Sequence, residues 1–229
     1  MIEVRRSEER GAADHGWLQS RHTFSFARYY DPRHMGVSAL RVINDDRVSA
    51  GQGFPAHSHE DMEIISYVKK GVIAHRDSMG NVEQLPAGEF QLMSAGTGVT
   101  HSEYNPSSTE SLEFLQIWIQ PNVYGIEPGY QQKRFPARQG LQLVISPDGR
   151  DDSLQIHQDA FLYHLRLDAD GSASHALGRG RTIYVHVVSG VLNVNGERLE
   201  AGDGARIGET ERVAFVALED SEALVFDLP

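Results

Sequence analysis

The residues with most chemistry to offer are His57 and His59, in GQGFPAHSHEDMEIISYVKKG (51–71). Successive side chains of a β-strand point to opposite faces, so Ser58 turns away while the two imidazoles project together. His101 and Glu103, in SAGTGVTHSEYNPSS (94–108), repeat the spacing, with Ser102 turned away. If the two strands lie side by side, three imidazoles and a carboxylate meet at one point. That donor set suits one divalent transition metal ion: Fe(II), Mn(II), Ni(II), Co(II), Cu(II) or Zn(II). It leaves one or two metal positions open, as a catalytic site requires. Glu63 has the same strand parity as His57 and His59, so spacing alone keeps it in contention as the carboxylate.

With eleven histidines in the chain, a chance His-x-His is common and the pair alone is a weak signal. His15, His34, His75, His157, His164, His175 and His186 stand in no ligand spacing with one another. They read as surface or hydrogen-bonded residues. His22 precedes TFSF, where Phe24 and Phe26 alternate with polar neighbours. These rings either line a metal cavity or belong to ordinary core.

The elements that must position these groups are short. SALRVI (38–43), MEIISYV (62–68), EFQLM (89–93), LEFLQIWI (112–119), LQLVIS (141–146) and TIYVHVV (182–188) are apolar runs between Gly, Pro, Asn and Asp turns. Their length and their Val, Ile, Phe and Tyr content predict strands. No long segment keeps a 3.6-residue period with end caps, so helices are confined to short pieces, one of them expected near 7–14. The fold class is all-β, an antiparallel sandwich or barrel. Pro, Gly and polar residues gather in VYGIEPGYQQKRFPARQG (123–140), which predicts a boundary there. YVKKGVIAHRDSMGNVEQLPAGEF (67–90) and HVVSGVLNVNGERLEAGDG (186–204) echo each other, suggesting two copies of one β unit. The second copy has no His-x-His.

At 229 residues and 40% hydrophobic, the chain can bury a sizeable core. It has no cysteine, so disulfides, thiolate zinc sites and iron–sulfur clusters are excluded and any metal must use nitrogen and oxygen. A formal charge of −11 opposes nucleic-acid phosphates and anionic lipid. MIEVRRSEERGAADHG has no apolar core of a signal peptide, and no apolar run is long enough to span a bilayer. A cytoplasmic protein with a small or neutral partner is expected.

Gly51, His57-x-His59, Glu63 and Gly71, followed by Gly80 and Pro86-x-Gly88, resemble the two motifs of the cupin superfamily. In the usual cupin pattern the next histidine follows the Pro-x-Gly closely; here His101 lies thirteen residues after Gly88. That longer segment, with RHTFSFARYYDP (21–32), FPAHSHEDMEIISY (54–67) and SPDGRDDSLQIHQD (146–159), is similar to the pirin family, and specifically to its bacterial members described as quercetinases.

The resemblance implies a bicupin of two jelly-roll β-barrels: a metal-binding domain over 1–134 and a degenerate, metal-free domain over 135–229. It places the ligands on His57, His59, His101 and Glu103, and leaves Glu63 behind them or in a structural role. It implies a dioxygenase that takes a small aromatic enolic substrate such as quercetin, inserts dioxygen, opens the central ring and releases carbon monoxide. Glu103 would then also take the substrate hydroxyl proton, and Phe24, Phe26 and Met62 are candidate walls for the planar ring system. The alternative is a metal-dependent regulatory or redox-sensing protein that binds a partner protein; such a surface would show a large exposed patch, whereas an enzyme would show an enclosed cavity reaching the metal.

Overall fold

The computed structural model describes residues 1–229 and contains 22 strands and two single-turn 3-10 segments. The strands fall into two pairs of facing sheets. In the first barrel a seven-stranded sheet runs in the order Gly129–Arg134, Glu89–Ser94, Glu63–Lys70, Leu112–Ile119, Leu40–Val48, Leu18–His22, Gly11–Asp14. Its four-stranded partner runs Gly53–His59, Val99–Tyr104, Val72–Asp77, Val82–Pro86. The second barrel repeats the plan with a seven-stranded sheet centred on Thr182–Ser189 and Ser221–Leu228 and a four-stranded sheet built from Ser172–Ala176, Arg212–Ala217, Val191–Val194 and Glu197–Glu200.

All six apolar runs form strands, and Leu112–Ile119 keeps both predicted ends. The segment 7–14 differs from expectation. Only Ser7–Glu9 winds, for one turn, and Gly11–Asp14 is a strand paired with Leu18–His22. Three of its residues, Gly11, Ala12 and Ala13, are small, and Gly11 lies directly under the Tyr29 ring, where a Cβ would collide. Ile2–Arg5 crosses to the second barrel and pairs with Gly204–Ile207, so the first unit as drawn over 1–134 sends its leading strand to the other sheet. The Pro- and Gly-rich boundary stretch contributes an edge strand, Gly129–Arg134, to the first barrel.

The internal echo is structural. Each copy runs out along the large sheet, switches to the small sheet at a glycine, makes a hairpin there and returns beside its starting strand. The switch glycines, Gly71 and Gly190, have φ of 85° and 79°, a left-handed conformation that L side chains adopt only with strain. Leu85 and Leu199, each three residues before a second left-handed glycine, are fully buried.

The apolar packing differs between the halves. A cluster of 23 buried residues, including Phe24, Tyr67, Phe90, Leu115, Tyr184 and Phe226, lies between the two large sheets and joins the barrels. A second cluster of 16 fills the interior of the second barrel. The interior of the first barrel has only two small clusters, of 7 and 4 residues. What occupies the rest of that interior is polar.

Candidate metal centre

Gly53–His59 is the edge strand of the small sheet, and Val99–Tyr104 is its neighbour. Across this pair His57 stands directly opposite His101, and Glu103 opposite Phe54. Between these pairs two residues of one strand, Pro55 and Ala56, therefore face one of the other, Ser102, a bulge that contains Pro55. Proline cannot donate to a sheet ladder, and edge positions and bulges are where it is tolerated. The freed Pro55 carbonyl lies 2.8 Å from His57 Nδ1. A carbonyl only accepts, so Nδ1 carries a proton, which leaves the Nε2 lone pair as the one that can face a cation.

That lone pair meets the other two rings. His101 Nε2 is 3.1 Å from His57 Nε2 and 3.1 Å from His59 Nε2. One proton on His101 can serve only one of these contacts well, whereas one cation serves all three nitrogens. Two donors about 2.1 Å from a shared ion and at right angles stand about 3.0 Å apart, so the spacing fits a common metal. The donor chemistry fits as well. Burial, with His57 as a neighbouring charge, pushes His59 down to about 4 and His101 down to about 3, so both imidazoles are neutral and free to coordinate near pH 7. Trp118 packs edge-on against His59, with ring centroids 5.1 Å apart.

Glu103 is buried beside this cluster. Its carboxyl accepts from Ser66 Oγ at 3.3 Å and from Gln116 Nε2 at 3.2 Å. Burial raises its pKa to about 7 against the lowering effect of the Ser66 hydrogen bond. Its oxygen lies within 4.8 Å of ligand atoms on His101 and His75, while His57, His59 and His101 form a separate group by the same measure. His101 is the member common to both. The two bonds to Ser66 and Gln116 hold Glu103 on the large-sheet side of the barrel, which is why it stands back from His57 and His59.

Glu63 is elsewhere. Its carboxylate is buried, accepts from Ser94 Oγ at 2.9 Å and faces His157 Nδ1 at 3.3 Å. It thus ties the first barrel to a residue of the second half. His164 likewise pairs with Glu222 beside Tyr67, and His175 with Asp227, as hydrogen-bonded histidines should. His75 and His186 are both buried, and of the two only His186 has neither ring nitrogen partnered. His75 donates Nε2–H to Asp77 at 3.0 Å, an anion held in turn by Asn81 and Met79 backbone N–H groups. Its place beside Glu103 was hidden because the two stand opposite each other across strands 28 residues apart in sequence.

A cavity of 910 Å³ opens against His57, His59 and Glu103. Phe26, Tyr29, Phe54, Phe114 and Trp118 supply its aromatic walls, with His22, Asn44, Asp46 and Gln116 among its polar lining. Of the three predicted wall residues only Phe26 is there. Phe24 is 4% exposed and packs on Tyr184 in the core between the barrels. The strand ends at His22, and the chain folds back through a Phe26–Tyr29 bridge with Ala27 left-handed at φ 50°, which separates the two rings. Met62 packs instead with the cluster of Ile64, Met93, Ala95 and Val99. The missed walls did carry a signal: Phe114, Gln116 and Trp118 alternate along one strand, as do Asn44 and Asp46 along another.

Residues 3–119 match the family described as Pirin, and residues 143–228 match the Quercetinase C-terminal cupin domain. A protein of Escherichia coli (strain K12) named quercetin 2,3-dioxygenase is 56% identical over 229 residues, covering 100% of this chain and 99% of that protein. A pirin-like protein of Caulobacter vibrioides is 43% identical over 231 residues, 99% of each. Among solved structures, the bacterial pirin YhhW of Escherichia coli in complex with nickel(II) matches at a TM-score of 0.98 and 56% identity, covering 100% of this chain and 99% of that one.

Proposed function

We propose that this chain, which belongs to the pirin family, is a mononuclear-metal dioxygenase that cleaves flavonols such as quercetin, opening the central ring with release of carbon monoxide. The observation that carries the reading is the convergence of three imidazole Nε2 atoms, two of them on His57 and His59 at the wall of a 910 Å³ cavity with aromatic sides. Pockets of this size and lining suit a planar small molecule. A cavity that reaches the imidazoles, instead of an exposed patch, favours an enzyme over a partner-binding regulator.

His57, His59, His101 and Glu103 would hold one divalent transition metal ion, nickel(II) being the ion in the E. coli relative's structure. Such an ion, when bound, polarises an enolic oxygen and stabilises its deprotonated form. The remaining work falls to the side chains. The Pro55 carbonyl fixes the His57 tautomer, and Trp118 holds the His59 ring edge-on. Burial raises the Glu103 pKa to about 7 in the metal-free chain, and a bound cation would hold the group as its carboxylate. The carboxylate can therefore take the substrate's enolic proton and keep it on a carboxyl oxygen, with Ser66 and Gln116 holding the group in place. Phe26, Phe54 and Phe114 exclude water from the ring system. In this reading residues 1–134 are the metal-bearing unit, apart from Ile2–Arg5, and 135–229 the metal-free one. No helix of the chain is long and apolar enough to cross a membrane.

Element analysis of the purified protein and oxygen uptake with quercetin, for wild type and His59→Ala, test the proposal. The expected result is bound metal, uptake of dioxygen with release of carbon monoxide, and loss of both in the variant. Bound metal without oxygen uptake would remove the enzyme reading.

A further inference from the structure

The large sheet facing the imidazoles presents a polar strip into the same cavity. Asn44 and Asp46 share one face of Leu40–Val48, and Gln116 lies beside Asn44 on the adjoining strand. Most of this strip is internally satisfied. Asn44 Oδ1 accepts from His22 Nδ1 at 2.8 Å, and Gln116 is bound to Ser66 and Glu103. Asp46 differs. It is 4% exposed, and its buried Oδ1 has no hydrogen-bond partner. Lys69, two strands away in the same sheet, pairs with Asp45, which points to the other face. A buried carboxyl oxygen without a donor is costly, and native proteins almost always supply one.

We propose that Asp46 is a specificity-determining residue: its carboxyl group, which lines the cavity, accepts a hydrogen bond from a second hydroxyl of the substrate, carried on a part of the molecule distant from the enolic oxygen. The ligand class this selects is a polyhydroxylated aromatic over a monohydroxylated one. The inference rests on the flavonol reading and deepens it. Trp118 and Phe114 line the same cavity, and Asp46, directly opposite Phe114 across the strand pair, is placed to read the polar edge of a ligand there. A site built to bind a hydroxyl discriminates strongly against the analogue that lacks it, because the site's own polar atom is then left buried and unpaired.

The test compares quercetin with 3-hydroxyflavone, which keeps the enolic oxygen and lacks the other hydroxyls. Metal-loaded wild type, Asp46→Asn and Asp46→Leu are assayed for kcat/KM on both, with a melting curve for each protein. The ratio of quercetin to 3-hydroxyflavone is expected to fall about 10- to 100-fold in Asp46→Leu and less in Asp46→Asn, which keeps the shape and a weaker acceptor. A merely structural role for Asp46 lowers both substrates together and leaves the ratio alone. An unchanged ratio in both variants overturns the proposal and means that Asp46 binds only ordered water. If Asp46→Leu does not fold, Asp46→Asn alone decides. If wild type turns over neither compound, the flavonol reading fails by itself. Asp46 is then judged from fluorescence titration of the metal-loaded protein: tighter binding of quercetin that Asp46→Asn abolishes supports it, and equal or absent binding of the two compounds overturns it.

Discussion

Removing His101 should uncouple the protein from its metal, because its Nε2 alone lies 3.1 Å from both other imidazole Nε2 atoms, and it alone belongs to both candidate ligand groups. The effect can be read as heat stability. An ion that binds only the folded state, at a free concentration 100 times its Kd, adds about 2.7 kcal/mol. In a chain of this length each kcal/mol raises Tm by about 2–4 °C, so the holo protein should melt about 5–10 °C above the chelator-stripped one. The gain should reach both barrels, since the 23-residue cluster between them makes their unfolding one event. Scanning calorimetry of stripped protein titrated with Ni(II), Zn(II), Fe(II) or Co(II) measures it. His101→Ala should lose the shift. His175→Ala, whose ring pairs with Asp227 in the second barrel, should keep it. A wild-type Tm indifferent to every ion, or an undiminished shift in His101→Ala, refutes the convergence argument.

Two further outcomes follow from the framework around the site. His186 is fully buried with neither ring nitrogen partnered, and burial, aided by the Arg10 charge, pushes it down to about 3; Asp45, Lys69 and Asp203 are the other charges that face it. Its folded pKa lies below its unfolded value, so protonation favours the unfolded chain and stability drains away as pH falls from about 6.5 towards 3. His186→Leu should therefore gain on wild type by about 1.4 kcal/mol per pH unit across that window in urea melts, and a pH-independent difference would contradict the burial. Gly71→Ala should cost about 1–2 kcal/mol from its positive φ alone. Gly190→Ala should cost more, because its Cβ would also run into the Asp220 carbonyl, whereas at Gly71 the nearest atom is Leu112 Cα at 3.3 Å. Equal losses in denaturant melts would contradict the steric difference between the two switch points.

The parts of the site that were legible in the sequence are those governed by strand parity. His57 and His59, and His101 and Glu103, each share a face because the pleat has period two, and nothing in the tertiary packing reverses that. Phe24 and Phe26 obey the same parity on paper, yet they separate, because the strand that would have kept them together stops at His22 and a left-handed Ala27 redirects the chain. Backbone reversals at ordinary residues leave no compositional mark. His75 and Asp46 were invisible for another reason: each matters through a neighbour across the barrel, Glu103 and the cavity respectively, and one sequence without its pairings does not reveal such neighbours.

The two barrels then explain each other. Both carry the same switch glycines and the same hairpin order, so topology does not decide which of them bears a site. Filling does. In the second barrel 16 apolar side chains close the interior, and its strands Thr182–Ser189 and Ser221–Leu228 turn Tyr184, Leu224 and Phe226 outward into the shared core. In the first, the inward face of Leu40–Val48 and Leu112–Ile119 offers Asn44, Asp46 and Gln116, and the apolar contacts shrink to clusters of 7 and 4. A barrel that gives up that much burial loses about 25 cal/mol for each Å² of apolar surface left unburied, and it must be steadied from outside. The 23-residue cluster against the second barrel, with the Glu63–His157 contact beneath the histidine-bearing sheet's neighbour, supplies that support. The filled barrel is what allows the other to remain hollow.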